Sequence, residues 1–100
     1  MTEIRMTRNK QHYQLYVKNH AKTKMVCHAI SSLVCCLAGA LRNSDQVDRL
    51  ITDMDYGDSH IDCYINGERA EEDFTAILIG FLQIQKNHPD EVKIEQNIFL

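Results

Sequence analysis

Residues 2–7 place Ile4 and Met6 on one side of an extended chain and Glu3, Arg5 and Thr7 on the other. Residues 12–18 alternate in the same way, with Tyr13, Leu15 and Val17 opposite His12, Gln14 and Lys18. A period of two marks half-buried strands, and Arg8-Asn9-Lys10-Gln11 between them is the expected hairpin turn. Asn19 to Lys24 is a polar connector. From Met25 to Arg42 the spacing turns helical, with Val26, Ile30, Leu33, Leu37 and Leu41 on one stripe that Val34, Ala38 and Ala40 widen. A strand is expected near Arg49 to Met54, then a Tyr56-Gly57-Asp58 turn. The next strand covers Ser59 to Asn66, where Ile61, Cys63 and Ile65 alternate with Asp62, Tyr64 and Asn66. Asn66-Gly67 is a turn signal. A second helix follows from Ala70 to Asn87, carrying Phe74, Ile77, Leu78, Phe81 and Leu82 and closed by Pro89. Val92 and Ile94 alternate in a last strand. The order ββαββαβ, with hairpin-linked strands, predicts an α+β two-layer sandwich over residues 1–100, its mostly antiparallel sheet packed with two helices.

Composition narrows the function. At 100 residues, 44% hydrophobic and 25% charged, the chain supports one core and excludes a large multidomain enzyme or a nucleotide fold of two halves. A net charge of −3 argues against a direct nucleic-acid partner. The apolar stretch from Val26 to Leu41 is interrupted by His28, Ser31 and Ser32 and reads as too short for a bilayer, so no membrane is expected. The opening residues lack a secretory pattern, so the four Cys are expected as free thiols in the cytoplasm. A helix apolar nearly all round is either central to its own fold or covered by a second chain, which raises a homodimer.

The chemistry gathers at Asn19-His20-Ala21-Lys22-Thr23-Lys24-Met25-Val26-Cys27. His20 follows a strand and, seven residues later, Cys27 begins a helix, so a short loop keeps imidazole and thiol together. Thiolate is the reactive form of Cys, and helix N-termini, nearby imidazolium and Lys side chains favour it. Backbone N–H groups of the first turn are also suited to a developing oxyanion. On spacing alone two readings of Cys27 stand, an inert core thiol and an activated nucleophile. His20 likewise reads as a solvated side chain or a general base.

Asn-His-Ala at 19–21, Val-Cys at 26–27 and Ala-Ile-Ser at 29–31 resemble the signature of the ribosomal-processing cysteine proteases. That pattern is Gly-His-Ala, a loop, then a Val-Cys helix start with Ser one turn on. The strand order and the late Lys86-Asn87-His88-Pro89 and Val92-Lys93-Ile94-Glu95 stretches extend the resemblance over nearly the whole chain. It implies a cytosolic, homodimeric endopeptidase that removes a short N-terminal extension from a bacterial large-subunit ribosomal protein. By position it makes Cys27 the nucleophile and His20 the general base, with Ser31, Asn19 and Ala21 in supporting or substrate-binding roles. Three departures are visible. Asn19 replaces Gly, the loop is short, and Lys24 stands where many members carry Asp, so the resemblance implies a Cys27–His20 dyad with no acidic orienter. A peptide- or ribosome-binding module of the same fold, without catalysis, is the alternative; a thiol redox sensor is a third reading.

Other patterns have plainer expectations. Cys35 and Cys36 lie about 12–13.5 Å beyond Cys27 along a helix axis, too far to share a metal ion with it. Both are expected to pack, and Cys63 to be a core strand position. His28 is expected to point away from the thiol. Asp53, Asp55, Asp58 and Asp62 read as a solvated turn. No metal or cofactor is expected.

Overall fold

The computed structural model describes residues 1–55 and 58–99. Strands β1 (Thr2–Asn9) and β2 (His12–Lys18) form an antiparallel hairpin that pairs Ile4 with Val17 and Met6 with Leu15. Helix α1 (Lys24–Arg42) follows, then β3 (Val47–Asp55), β4 (Asp58–Ile65), α2 (Glu68–Asn87) and β5 (Val92–Gln96). The predicted ββαββαβ order holds. The turn expected at Tyr56-Gly57 lies outside the described residues.

The five strands run β3-β4-β2-β1-β5 in one sheet, antiparallel except for the β1–β5 pair. The alternation seen in the sequence puts Ile4, Met6, Leu15, Ile61 and Ile65 on the face that the helices cover, each no more than 2% exposed. Phe74, Leu78 and Phe81 of α2 and Val26, Ile30 and Leu37 of α1 meet them. Burying each such side chain contributes about 1.5–3 kcal/mol, which fixes both helices on one side of the sheet. The opposite face carries polar and aromatic side chains, and the result is a two-layer α+β sandwich.

Four expectations need correction. Helix α1 is not buried all round. Val26, Ile30, Val34, Leu37, Ala38 and Leu41 are buried, while Met25, Ser31 and Ser32 are exposed. Cys35 and Cys36 are exposed rather than packed, because they fall on the side of α1 away from the sheet, whereas Cys63 is fully buried. By length and composition alone α1 is apolar enough to cross a membrane, although its apolar stripe packs on the sheet. Strand β3 also starts earlier than Arg49. A register shift between Asp48 and Ile51, with Arg49 at φ 54°, interrupts the strand and leaves no clean period of two to mark its start.

Candidate active site

The connector between β2 and α1 owes its shape to bonds at both ends. Asn19 has φ 68°, in the left-handed region that Asn tolerates better than most residues. Asn19, which stands where the resembled pattern has Gly, thus occupies a backbone region that glycine also favours. The Asn19 N–H donates to Asp58 Oδ1 at 3.0 Å, and its carbonyl accepts from Thr2 Oγ1 at 3.1 Å. Ala21 packs against the core, which leaves His20 on the outer side of the loop.

Thr23 is the N-cap of α1, extended at φ −110° and ψ 149°. Its hydroxyl accepts from the Val26 N–H at 3.3 Å and its carbonyl from the Cys27 N–H at 3.1 Å. The N–H groups of Lys24 and Met25, which precede the first intrahelical bond, point out of the helix start and suit an incoming oxyanion.

Cys27 thus sits in the first turn, half-buried. Its Sγ lies 4.0 Å from His20 Nδ1, accepts from the Ala21 N–H at 3.1 Å and stands 3.5 Å from the Ala21 carbonyl oxygen. The sulfur–imidazole distance is at the outer limit for a hydrogen bond to sulfur. Contacts of this kind tighten once a substrate excludes water. The donor from Ala21 would hold a thiolate in place, which is a role that residue type alone did not reveal.

His20 and Cys27 face a cleft of about 610 Å³ between the start of α1 and the β3–β4 end of the sheet. Val17, Ile30 and Val34 give it an apolar floor, with Lys24, Asp55 and Ser31 among its polar walls. Asn19 lines it too, so four of the five candidate residues border one space, and the fifth, Ala21, touches the sulfur. His28 is exposed as expected but also lines this cleft. Of the two lysines expected to add positive potential, Lys22 pairs with Asp90 at 3.5 Å, which leaves Lys24 to face the cleft.

The acidic residues are not one solvated turn. Asp58 anchors Asn19, Asp55 lines the cleft, and Asp62 lies on the open sheet face, 2.7 Å from His12 Nε2 and accepting from Gln14 Nε2 at 2.8 Å. Among the described residues, no three His, Cys, Asp or Glu gather as metal ligands. The residues missed at the site are Glu91, whose carboxylate accepts the Thr23 N–H at 2.8 Å, and Asp58. No local sequence signal marks either one.

Fold and site together describe a small α+β protein in which a helix-start thiol and an imidazole open onto one cleft. Solved structures share that architecture: it is the fold of the ribosomal processing protease Prp from Staphylococcus aureus. The complex of Prp with a covalently linked product peptide matches with a TM-score of 0.84 and 17% identity, over 97% of this chain and 100% of that one. The complex with a substrate peptide matches with a TM-score of 0.80 and 16% identity, over 97% and 100%. The protein SMU.848 of Streptococcus mutans matches with a TM-score of 0.74 and 22% identity, over 96% of each chain. At these identities the likeness is one of fold. No protein-family model and no curated protein matches the sequence.

Proposed function

We propose that this protein is a cysteine endopeptidase that removes a short N-terminal extension from a bacterial large-subunit ribosomal protein in the cytoplasm. The observation that carries the reading is the Cys27 sulfur, 4.0 Å from His20 Nδ1 and held by the Ala21 N–H at 3.1 Å, at the edge of a peptide-sized cleft. The shared fold with a protease solved around a substrate peptide supports it.

In the proposed reaction His20 Nδ1 takes the thiol proton and Sγ attacks the scissile carbonyl carbon. The carbonyl oxygen becomes an oxyanion facing the N–H groups at the start of α1. Collapse breaks the C–N bond, His20 returns its proton to the leaving amine, and the acyl group stays on Cys27 as a thioester. Water, deprotonated by His20, attacks the thioester and releases the excised extension as its carboxylic acid, and the His20 imidazolium returns the proton to the Cys27 thiolate; the trimmed protein has already left as the amine. Ser31, one turn beyond Cys27 on the cleft wall, is suited to contact the peptide.

The test is cleavage of a synthetic peptide spanning the encoded N-terminus of the host's own ribosomal protein. Wild type should give two fragments, while Cys27→Ala and His20→Ala should give none and Cys27→Ala should still bind. A wild-type protein that binds the peptide and leaves it whole favours the binding-module reading. Dimerisation belongs to the same proposal, and a monomer in sedimentation velocity at micromolar concentration removes that part.

A further inference from the structure

We infer that Glu91 is a positioning residue for the Cys27–His20 pair: its carboxylate clamps the loop that carries His20 and Ala21 to the start of α1. This rests on the peptidase reading for its kinetic consequence but not for its geometry.

Glu91 is only 5% exposed, and among the described residues it and Thr2 are the polar ones buried in the interior. A buried carboxylate is costly unless its oxygens are used, and here both are. Oε1 accepts the Thr23 N–H at 2.8 Å, while Oε2 lies 3.5 Å from Thr23 Oγ1 and 3.4 Å from His88 Nδ1. The same residue acts through its backbone. Its N–H donates to the His88 carbonyl at 3.0 Å, and its carbonyl accepts from the Thr2 N–H at 2.9 Å. Thr2 Oγ1 in turn donates to the Asn19 carbonyl at 3.1 Å.

One residue therefore reaches both ends of the connector. Through Thr2 it fixes Asn19, the residue before His20. Through Thr23 it fixes the N-cap, whose hydroxyl and carbonyl hold the N–H groups of Val26 and Cys27. Between these anchors lie only His20, Ala21 and Lys22, and the first two supply the imidazole and the N–H that face Sγ. Releasing Thr23 frees one end of that short span. A misplacement near 1 Å at a reacting pair can cost up to about 100-fold in rate.

Charge and placement act in opposite directions, which makes the inference testable. Removing a carboxylate near the helix start favours a neighbouring thiolate, so charge loss alone would speed alkylation of Cys27. Loss of placement slows it. Glu91→Met keeps the volume and removes both acceptors; Glu91→Gln removes the same charge but keeps an acceptor for the Thr23 N–H.

The experiment measures iodoacetamide labelling at pH 7 by site-resolved mass spectrometry, with Cys35 as the internal reference, together with kcat and KM on the peptide named above. In E91M the Cys27-to-Cys35 rate ratio should fall roughly tenfold and kcat by a similar factor with KM within about twofold, and E91Q should stay within about threefold of wild type in each. An unchanged or raised ratio in E91M, or equal loss in E91Q, overturns the inference. Should wild type leave the peptide uncut while the labelling ratio still falls in E91M and not E91Q, the clamp stands and the peptidase reading fails. Should E91M not fold, amide exchange on the wild-type protein decides: slow exchange at Thr23 supports the clamp, and exchange at the open-chain rate overturns it.

Discussion

Asn19 shows how one residue can carry a backbone requirement. At φ 68° it stands where glycine is the default and where a β-branched side chain is strongly disfavoured. Asn19→Gly should leave the melting temperature nearly unchanged, whereas Asn19→Val should cost about 1–2 kcal/mol in urea denaturation. The four cysteines make a second contrast. Burial pushes the Cys63 thiol up to about 11, with the neighbouring Asp62 charge adding to the effect, so native protein should resist labelling at Cys63 while Cys35 and Cys36 react. Because the folded thiol holds its proton above the ordinary 9.0, the unfolded chain ionises first. The Cys63 contribution to stability should therefore be lost as pH rises from about 9 to about 11, and Cys63→Ala should make that limb shallower in melts taken across the range. His20 and Cys27 were legible because seven residues of sequence join them. Glu91 and Asp58 were not, since their bonds to Thr23 and Asn19 span 68 and 39 residues and leave no local pattern.

Among the elements, α2 begins in a way that its own sequence does not explain. Its N-cap is Gly67, which makes no side-chain bond, and Gln46 from the α1–β3 connector supplies the cap by accepting the Ala70 N–H through Oε1 at 3.0 Å. A Cβ on Gly67 would run into the amide end of the Gln46 side chain, so a larger residue there has to push that flexible cap aside. Gln46→Ala should cost about 1 kcal/mol by loss of the cap, and Gly67→Ala a similar amount by displacing it, with little further loss in the double variant. A double-mutant cycle from thermal melts measures this coupling. Asn66-Gly67 read as a turn for that reason: Gln46, the partner that turns the glycine into a helix start, caps the Ala70 N–H from 24 residues away. The β1–β2 hairpin, β4 and both apolar helix faces were legible from their periods. The β3 bulge and the placing of β5 beside β1 were not, because they depend on the pairing of distant strands.

At the scale of the whole molecule, one face of the sheet holds the core and the other a polar layer centred on Asp62. Burial alone would raise this carboxyl, but hydrogen bonds from His12 and Gln14 and the charges of His12 and His60 outweigh it and hold it below its usual 3.8. A carboxyl depressed by folding stabilises above its unfolded value, and that contribution is lost as pH falls through the folded one. Stability should therefore decline below about pH 4, and Asp62→Asn should remove part of that acid slope without changing cleavage, since Asp62 lies away from the cleft. The site forms where α1, the β2 end and the β5 approach meet, so its parts come from opposite ends of the chain. The most direct measurement is acid-quenched mass spectrometry of the protein mixed with the ribosomal-protein peptide. A mass gain equal to the N-terminal fragment less one water, mapped to Cys27 and lost in Cys27→Ala, is the expected result; intact peptide and unmodified Cys27 at every time point would contradict a thiol peptidase.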